Sequence, residues 1–244
     1  MPVDSSQWAE FEAFIDYSFQ NRSLLIQAMT HKSFAHEESR LQSKKSLRDN
    51  ERLEFLGDAV LSLCISSLLM EQHAERGEGE LSRRRAALVN ASALAEIAKR
   101  LRIEHYIRLG RGEEESRGRS KNSILADAYE ALLGAIFCDG GYEAAYAQVL
   151  RHFESILDSN ANFEKLTSLH RDYKTELQEA VQSIGWPLPV YRTIAKEGPD
   201  HDRIFTVALT VGEKEGMIGR GKSKKVAEQE AARAALASWI GAHS

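Results

Sequence analysis

The chain has 244 residues, 43% hydrophobic and 28% charged, with four prolines and a formal net charge of −4. That length buries a substantial core in one domain or forms two modest ones, and the composition describes a soluble folded protein. No basic segment followed by a long apolar run opens the chain, and the longest apolar-rich stretch, residues 59–70, is too short to span a bilayer, so neither a secretory signal nor a membrane partner is expected.

Cys64 and Cys138 lie in apolar contexts and read as free thiols of a reducing compartment, with a cytoplasmic location as the expectation. Charge is uneven along the chain. Residues 1–167 carry 21 Lys and Arg against 26 Asp and Glu, whereas residues 168–244 carry 11 against 10. An anionic partner therefore depends on where the lysines cluster rather than on net charge.

In chain order, Trp8, Phe11, Phe14 and Ile15 recur at helical spacing and predict a helix over residues 8–17. Residues 22–32 predict a second, with Leu24, Leu25 and Ala28 on its apolar side; His31, with no second histidine at ligand spacing, reads as a hydrogen-bonded structural residue. Residues 36–49 are polar, charged and poorly periodic, and read as a connection before a helix that runs from Asn50 to about Gln72. After Gly77 and Gly79, residues 81–99 form one long helix or two consecutive ones. Arg83, Arg84 and Arg85 within them are either a solvated face paired with acids or a contact to phosphate.

Residues 101–109 read as a short apolar connector and residues 110–121 as a flexible loop. A helix follows over residues 123–137, ended by Asp139, Gly140 and Gly141, and residues 142–157 make the next. Almost no period-two alternation occurs before residue 155, so an all-α N-terminal domain is expected over residues 1–156, with a linker over 157–169. The periodicity then changes. Residues 170–241 read as a small α+β domain: a helix over 172–184, strands over 190–197, 203–211 and 214–221, and a helix over 224–240. The order α-β-β-β-α predicts two helices on one side of a three-stranded antiparallel sheet.

Two stretches carry chemistry in the first domain. Glu51, Glu54 and Asp58 are spaced by three and four residues, so they share one helix face, while Leu53, Phe55, Leu56, Val60 and Leu61 supply apolar surface around it. Asp127 and Glu130 repeat the device, flanked by Leu125, Leu132, Leu133 and Ile136. Two helices packed by their apolar sides could hold five carboxylates near one another. Like charges at that density need protonation, solvent or a cation. Oxygen-only donors favour Mg2+ or Mn2+ over zinc, and such ions serve phosphoryl transfer by activating water and neutralising phosphate oxygens. The alternative is a pair of amphipathic helices whose acids face water, paired with Arg52 or Lys121.

Residues 50–58, NERLEFLGD, resemble the signature of the bacterial ribonuclease III family, and residues 123–141, SILADAYEALLGAIFCDGG, resemble its second active-site helix. Phe19, Asn21, Leu24, Leu25, Ala28, Thr30, His31 and Ser33 also fall where the family's first helices carry such residues; Tyr129, where the family often has Phe, keeps a ring. The resemblance implies that Glu51, Asp58, Asp127 and Glu130 hold metal, with Asp58 and Glu130 catalytic. It assigns Glu54 to the dimer interface near the site and Glu80 to an acid contributed near the partner's site.

In the second domain, GKSKKVAEQEAARAAL at residues 221–236 and KTELQEAVQ at 174–182 resemble the double-stranded RNA-binding domain. By position, Lys174, Thr175 and Gln178 belong to the helix that approaches one minor groove, and His201 to the loop that approaches the next. Lys222, Lys224 and Lys225 would hold the phosphates between them, at a helix N-terminus whose free N–H groups attract anions.

The resemblance thus implies a homodimeric, Mg2+-dependent endoribonuclease of double-stranded RNA. Its expected products are 5'-phosphate and 3'-hydroxyl ends with short 3' overhangs, in ribosomal and other RNA processing. Two rivals are an RNA-binding regulator with an inactive helical domain, and a metal-dependent hydrolase of small phosphorylated molecules. The first should have lost acids, and the second leaves the C-terminal module without a task.

Overall fold

The computed structural model describes residues 5–41, 47–157, 173–199 and 203–240. The chain divides into two units, Met1–His170 and Arg171–Ser244. Most of the stretch read as a linker, from residue 158 onward, and His201 lie outside the described residues.

The first unit is all helical. Its elements are α1 (Ser5–Ile15), α2 (Arg22–Ala28), α3 (Lys32–Leu41), α4 (Glu51–Gln72), α5 (Glu78–Leu88), α6 (Ala91–Arg100), α7 (Ile103–Tyr106), α8 (Arg111–Glu115), a 3-10 turn (Gly118–Ser120) and α9 (Asn122–Leu157). Local chemistry starts several of them: Asn21 caps α2 by accepting from the Ser23 N–H, and Asn90 caps α6 by accepting from Ser92 and Ala93. The long helix α9 breaks at Gly141, whose φ of 77° a glycine adopts without strain. Just before the break, the Asp139 carboxylate accepts hydrogen bonds from Tyr17 Oη and from the backbone N–H groups of Gln20 and Asn21, tying the turn after α1 to α9.

The core lies between α4 and α9, which pack together more extensively than any other two elements. Leu53, Val60, Leu61, Ile65, Leu68 and Leu69 of α4 are buried with Leu125, Tyr129, Leu132, Leu133 and Ile136 of α9. Each large apolar side chain buried in this way contributes about 1.5–3 kcal/mol. By length and composition α4 could cross a membrane, although residues 59–70 alone are too short. Its buried apolar residues, Leu53, Val60, Leu61, Cys64, Ile65, Leu68 and Leu69, serve the interior of a helical domain, while Phe55, Leu63 and Met70 stay exposed.

Three expectations change, and the alternative left open at residues 81–99 is resolved. Helix 22–32 ends at Ala28, because the backbone of the following residues pairs with Arg108: Arg108 N–H donates to Met29 O and His31 N–H to Arg108 O. Part of the stretch read as a connection is the helix α3, whose hold on the domain is largely polar and so leaves little apolar periodicity. Phe34 lies under the Arg108 guanidinium, and Glu37 accepts from Arg111 N–H. Residues 81–99 are two helices, divided at the Asn90 cap. The loop 110–121 contains α8 and a 3-10 turn, held by Arg119 donating to the Glu104 and Ile107 carbonyls and by a Lys121–Glu113 ion pair.

The second unit comprises α10 (Tyr173–Ser183), β1 (Val190–Glu197), β2 (Ile204–Val211), β3 (Lys214–Gly221), α11 (Lys224–Ala235) and a wider terminal turn, Leu236–Ile240. The sheet is antiparallel in the order β1-β2-β3, with an irregularity between Thr193 and Ala195. Leu177 and Val181 of α10, Leu209 and Val211 of β2, and Ala231, Ala232 and Ala235 of α11 form its core. The small residues have a geometric reason. A Cβ at Gly219 would fall 2.0 Å from the Ala227 carbonyl oxygen, so β3 and α11 approach at backbone distance.

Candidate active site

Gly57 on α4 and Gly134 on α9 face each other where the two helices cross. A Cβ on Gly57 would meet the Glu130 carbonyl oxygen, and one on Gly134 would meet that of Leu53. Backbones at this separation bring the carboxylates one turn away into a group: oxygens of Glu54, Asp127 and Glu130 all lie within 4.8 Å of one another, half buried.

The electrostatics follow from that proximity. Burial, then the charges of Asp58, Asp127 and Glu54, push the Glu130 carboxyl up to about 8. Burial, then Asp127 and Glu51, raises Glu54 above the usual carboxylate range. Asp127 is also raised by burial, with His31 and Lys32 pulling the other way. Three crowded acids that resist ionisation form a candidate cation site, and an all-oxygen donor set fits a hard divalent ion.

The structure sorts the carboxylates expected from the sequence. Asp127 and Glu130 lie in the close group, and so does Glu54, which the resemblance assigned to a supporting or interface position. Asp58 is exposed one turn further along α4, near enough to act on Glu130. Glu51 is exposed at the start of α4, where its Oε1 meets Lys32 Nζ at 2.9 Å. Its partner is thus Lys32 rather than Arg52, and Lys121 is engaged by Glu113. Glu80 stands apart on α5, ion-paired with Arg76 and Arg84. Of the basic run, Arg84 also meets His73 and Arg85 donates to Ser66 Oγ, so these two arginines serve the helical packing.

Sequence reasoning missed Lys32 and the strap around it. His31 Nδ1 accepts from the Ser33 N–H and meets Ser33 Oγ at 2.7 Å, and that hydroxyl oxygen accepts from Gly110 N–H at 2.9 Å. Thr30 O accepts from Asn50 N–H at 2.9 Å. Residues 30–33 therefore tie the start of α4 to the segment before α8. His31 keeps the structural role expected of it, with burial lowering its basicity. No spacing in the sequence announces this strap, because its partners lie far along the chain. On the exposed side of α4, Phe55 is 82% accessible, with Leu63 and Met70 following at helical spacing.

In the second unit, Ser223 caps α11 by accepting from Val226 N–H, and Lys222, Lys224 and Lys225 are exposed around that end. Thr175 and Gln178 are exposed on α10. Lys174 is committed within the unit: its Nζ lies 2.7 Å from Glu228 Oε2 and 4.7 Å from the Tyr191 ring centroid. Glu228 also meets Lys224, at 3.7 Å.

The family model described as Ribonuclease-III-like matches residues 21–156, more than half of the chain. The chain belongs to the ribonuclease III family. A second model, the double-stranded RNA binding motif, matches residues 173–238. Among relatives, Ribonuclease 3 of Caldanaerobacter subterraneus subsp. tengcongensis is 45% identical over 226 residues, covering 92% of this chain and 95% of that protein. Ribonuclease 3 of Geobacter metallireducens is 44% identical, covering 94% and 91%. The nuclease domain of ribonuclease III from Campylobacter jejuni, described as flexible in a region involved in dimer formation, is similar in structure. Its TM-score is 0.55 at 43% identity, covering 62% of this chain and 98% of that one. The ribonuclease III match thus takes in α4 and nearly all of α9, and the RNA-binding match takes in α10, β1 to β3 and α11.

Proposed function

We propose that this protein is a Mg2+-dependent endoribonuclease that hydrolyses double-stranded RNA to 5'-phosphate and 3'-hydroxyl products with short 3' overhangs, acting in ribosomal and other RNA processing. The observation that carries the reading is the trio Glu54, Asp127 and Glu130 in a ribonuclease III fold. A divalent ion bound there supplies Lewis acidity, making water more acidic and offsetting charge that builds on the phosphate oxygens. Mn2+ offers the same octahedral oxygen preference and serves as a substitute.

The chain's own residues have separable roles. Asp127, Glu130 and Glu54 hold the ion, and Asp58 and Glu51 are further carboxylates beside it, Glu51 becoming available to the ion once Lys32 withdraws. Glu130 retains a proton near neutral pH in the absence of a cation, so loading the site releases it. Thr175 and Gln178 approach one minor groove and His201 the next, where A-form RNA displays its 2'-hydroxyls, while Lys222, Lys224 and Lys225 hold the phosphates between them. Lys174 acts behind them, through Glu228. The exposed row Phe55, Leu63 and Met70 supports a homodimer beside the sites, with Glu80 supplied near the partner's acids. Such an enzyme works in the cytoplasm.

The test is incubation of purified protein with long double-stranded RNA, single-stranded RNA and a small phosphoester, in Mg2+ or in chelator. Cleavage confined to the duplex in Mg2+ is expected. Duplex RNA surviving intact in Mg2+ overturns the reading in favour of a binding regulator, and turnover of the phosphoester alone favours a small-molecule hydrolase.

A further inference from the structure

Lys32 begins α3, and its backbone is fixed from both sides: His31 N–H donates to Arg108 O at 3.1 Å, and Ser33 Oγ accepts from Gly110 N–H at 2.9 Å. The start of α4 is fixed to the same strap through Asn50 and Thr30. What remains free is the pair of side chains between them. Lys32 Nζ and Glu51 Oε1 meet at 2.9 Å, with the two side chains 56% and 54% exposed. The Lys32 ammonium is held above the usual lysine range by its hydrogen bond and charge interaction with Glu51, to which Glu54 and Asp127 add. In return its charge eases ionisation of Glu54 and Asp127. One cationic side chain therefore faces an acidic group whose members otherwise repel one another.

An ion pair this exposed is worth about 1 kcal/mol or less, so it opens readily. A divalent cation approaching the acids meets two effects of Lys32, repulsion from the ammonium and competition for the Glu51 carboxylate. We infer that Lys32 is a resident counter-cation, a positioning residue that neutralises Glu51 while the acidic site is empty of metal and surrenders it as a divalent ion binds. The inference rests on the reading of the acidic group as an ion site. Its consequence is a raised threshold: the site stays balanced without metal and loads only at higher ion concentration than the carboxylates alone would set.

The experiment measures Mn2+ binding to the full-length protein without RNA, by loss of the free-ion electron paramagnetic resonance signal. Wild type, Lys32→Met, Lys32→Arg, Glu51→Gln and the double variant Lys32→Met with Glu51→Gln are compared, each checked for native helicity by circular dichroism. Removing one positive charge several ångströms from a divalent site should tighten Mn2+ binding about threefold at low ionic strength, less as salt rises. Lys32→Arg should bind as wild type does, and the gain should shrink in the Glu51→Gln background. Unchanged or weaker Mn2+ binding by Lys32→Met, or a full gain without Glu51, overturns the counter-cation role. Wild-type protein that binds no Mn2+ overturns the ion-site reading itself, and this inference with it.

Discussion

Gly57 and Glu130 touch through their backbones: a methyl group on Gly57 would fall 1.8 Å from the Glu130 carbonyl oxygen. The residue that must lack a side chain and the acid with the most strongly raised pKa of the close group are thus two sides of one helix crossing. The reciprocal approach of Gly134 to Leu53 O, at 2.1 Å for a built Cβ, keeps the two axes close over a further turn.

Gly57→Ala should therefore destabilise the first unit by about 3 kcal/mol, since neither backbone can yield as a flexible side chain would. It should also slow cleavage by spreading Glu54 from Asp127 and Glu130. Gly112→Ala, where a Cβ meets nothing within 4 Å, is the control and should be neutral or slightly stabilising. Thermal denaturation of both variants checks the contrast.

Glu130→Gln keeps size and helix propensity while removing an ionisable carboxyl and an oxygen proposed to hold the ion. Cleavage should slow by at least about a hundredfold, a loss of about 3 kcal/mol in transition-state stabilisation. Duplex RNA binding measured in Ca2+ should change little, because the lysines proposed to hold phosphate belong to the other unit. Single-turnover cleavage together with a separate binding titration distinguishes loss of the site from loss of the substrate surface.

The raised Glu130 carboxyl gives the metal-free protein a defined pH dependence. With a folded pKa of about 8 against an ordinary value of 4.5, the native state holds a proton that the unfolded chain has released. Stability then falls as pH rises between those values, because the native state binds the larger number of protons there. In chelator Glu130 should lower the wild-type melting temperature from pH 5 to pH 8, an effect partly offset by buried His152, whose pKa burial lowers to about 4 and which acts in the opposite direction. Glu130→Gln should remove that lowering, and Mg2+ should restore the wild-type protein at pH 8. A scan of melting temperature against pH, with and without ion, measures all three.

On α4 the aromatic ring of Phe55 is almost wholly exposed. Phe55→Asp places a charge on the proposed dimer surface and should shift the protein toward monomer in sedimentation velocity, with little change in helicity. Unchanged association would move the interface elsewhere.

Replacing Lys222, Lys224 and Lys225 together by Ala should weaken duplex RNA binding uniformly across sequences. The slope of log affinity against log salt should fall by about two to three, close to one unit for each phosphate no longer neutralised. Residues 1–156 alone should cleave at low ionic strength and lose affinity steeply as salt rises. Filter binding across a salt series reads both effects.

What the sequence determined by itself is the part of this protein encoded in short-range pattern. The 3.6-residue recurrence of apolar side chains marks α4 and α9, the switch to strand-forming runs marks β1 to β3, and the spacing of Glu51, Glu54 and Asp58 puts three acids on one face. The motifs that carry the family resemblance are equally local. What only the tertiary structure decided is which acids meet. Glu54 joins Asp127 and Glu130 because Gly57 and Gly134 let two helices cross at backbone distance, an arrangement between residues more than seventy positions apart. The same holds for α3 and the strap at Lys32. Their order comes from hydrogen bonds to Arg108, Gly110 and Arg111, partners that local periodicity does not encode. Helix propensity and amphipathic spacing act within a few turns of chain. Charge repulsion, burial and the pairing of Lys32 with Glu51 act across space, and exist only once the chain has folded.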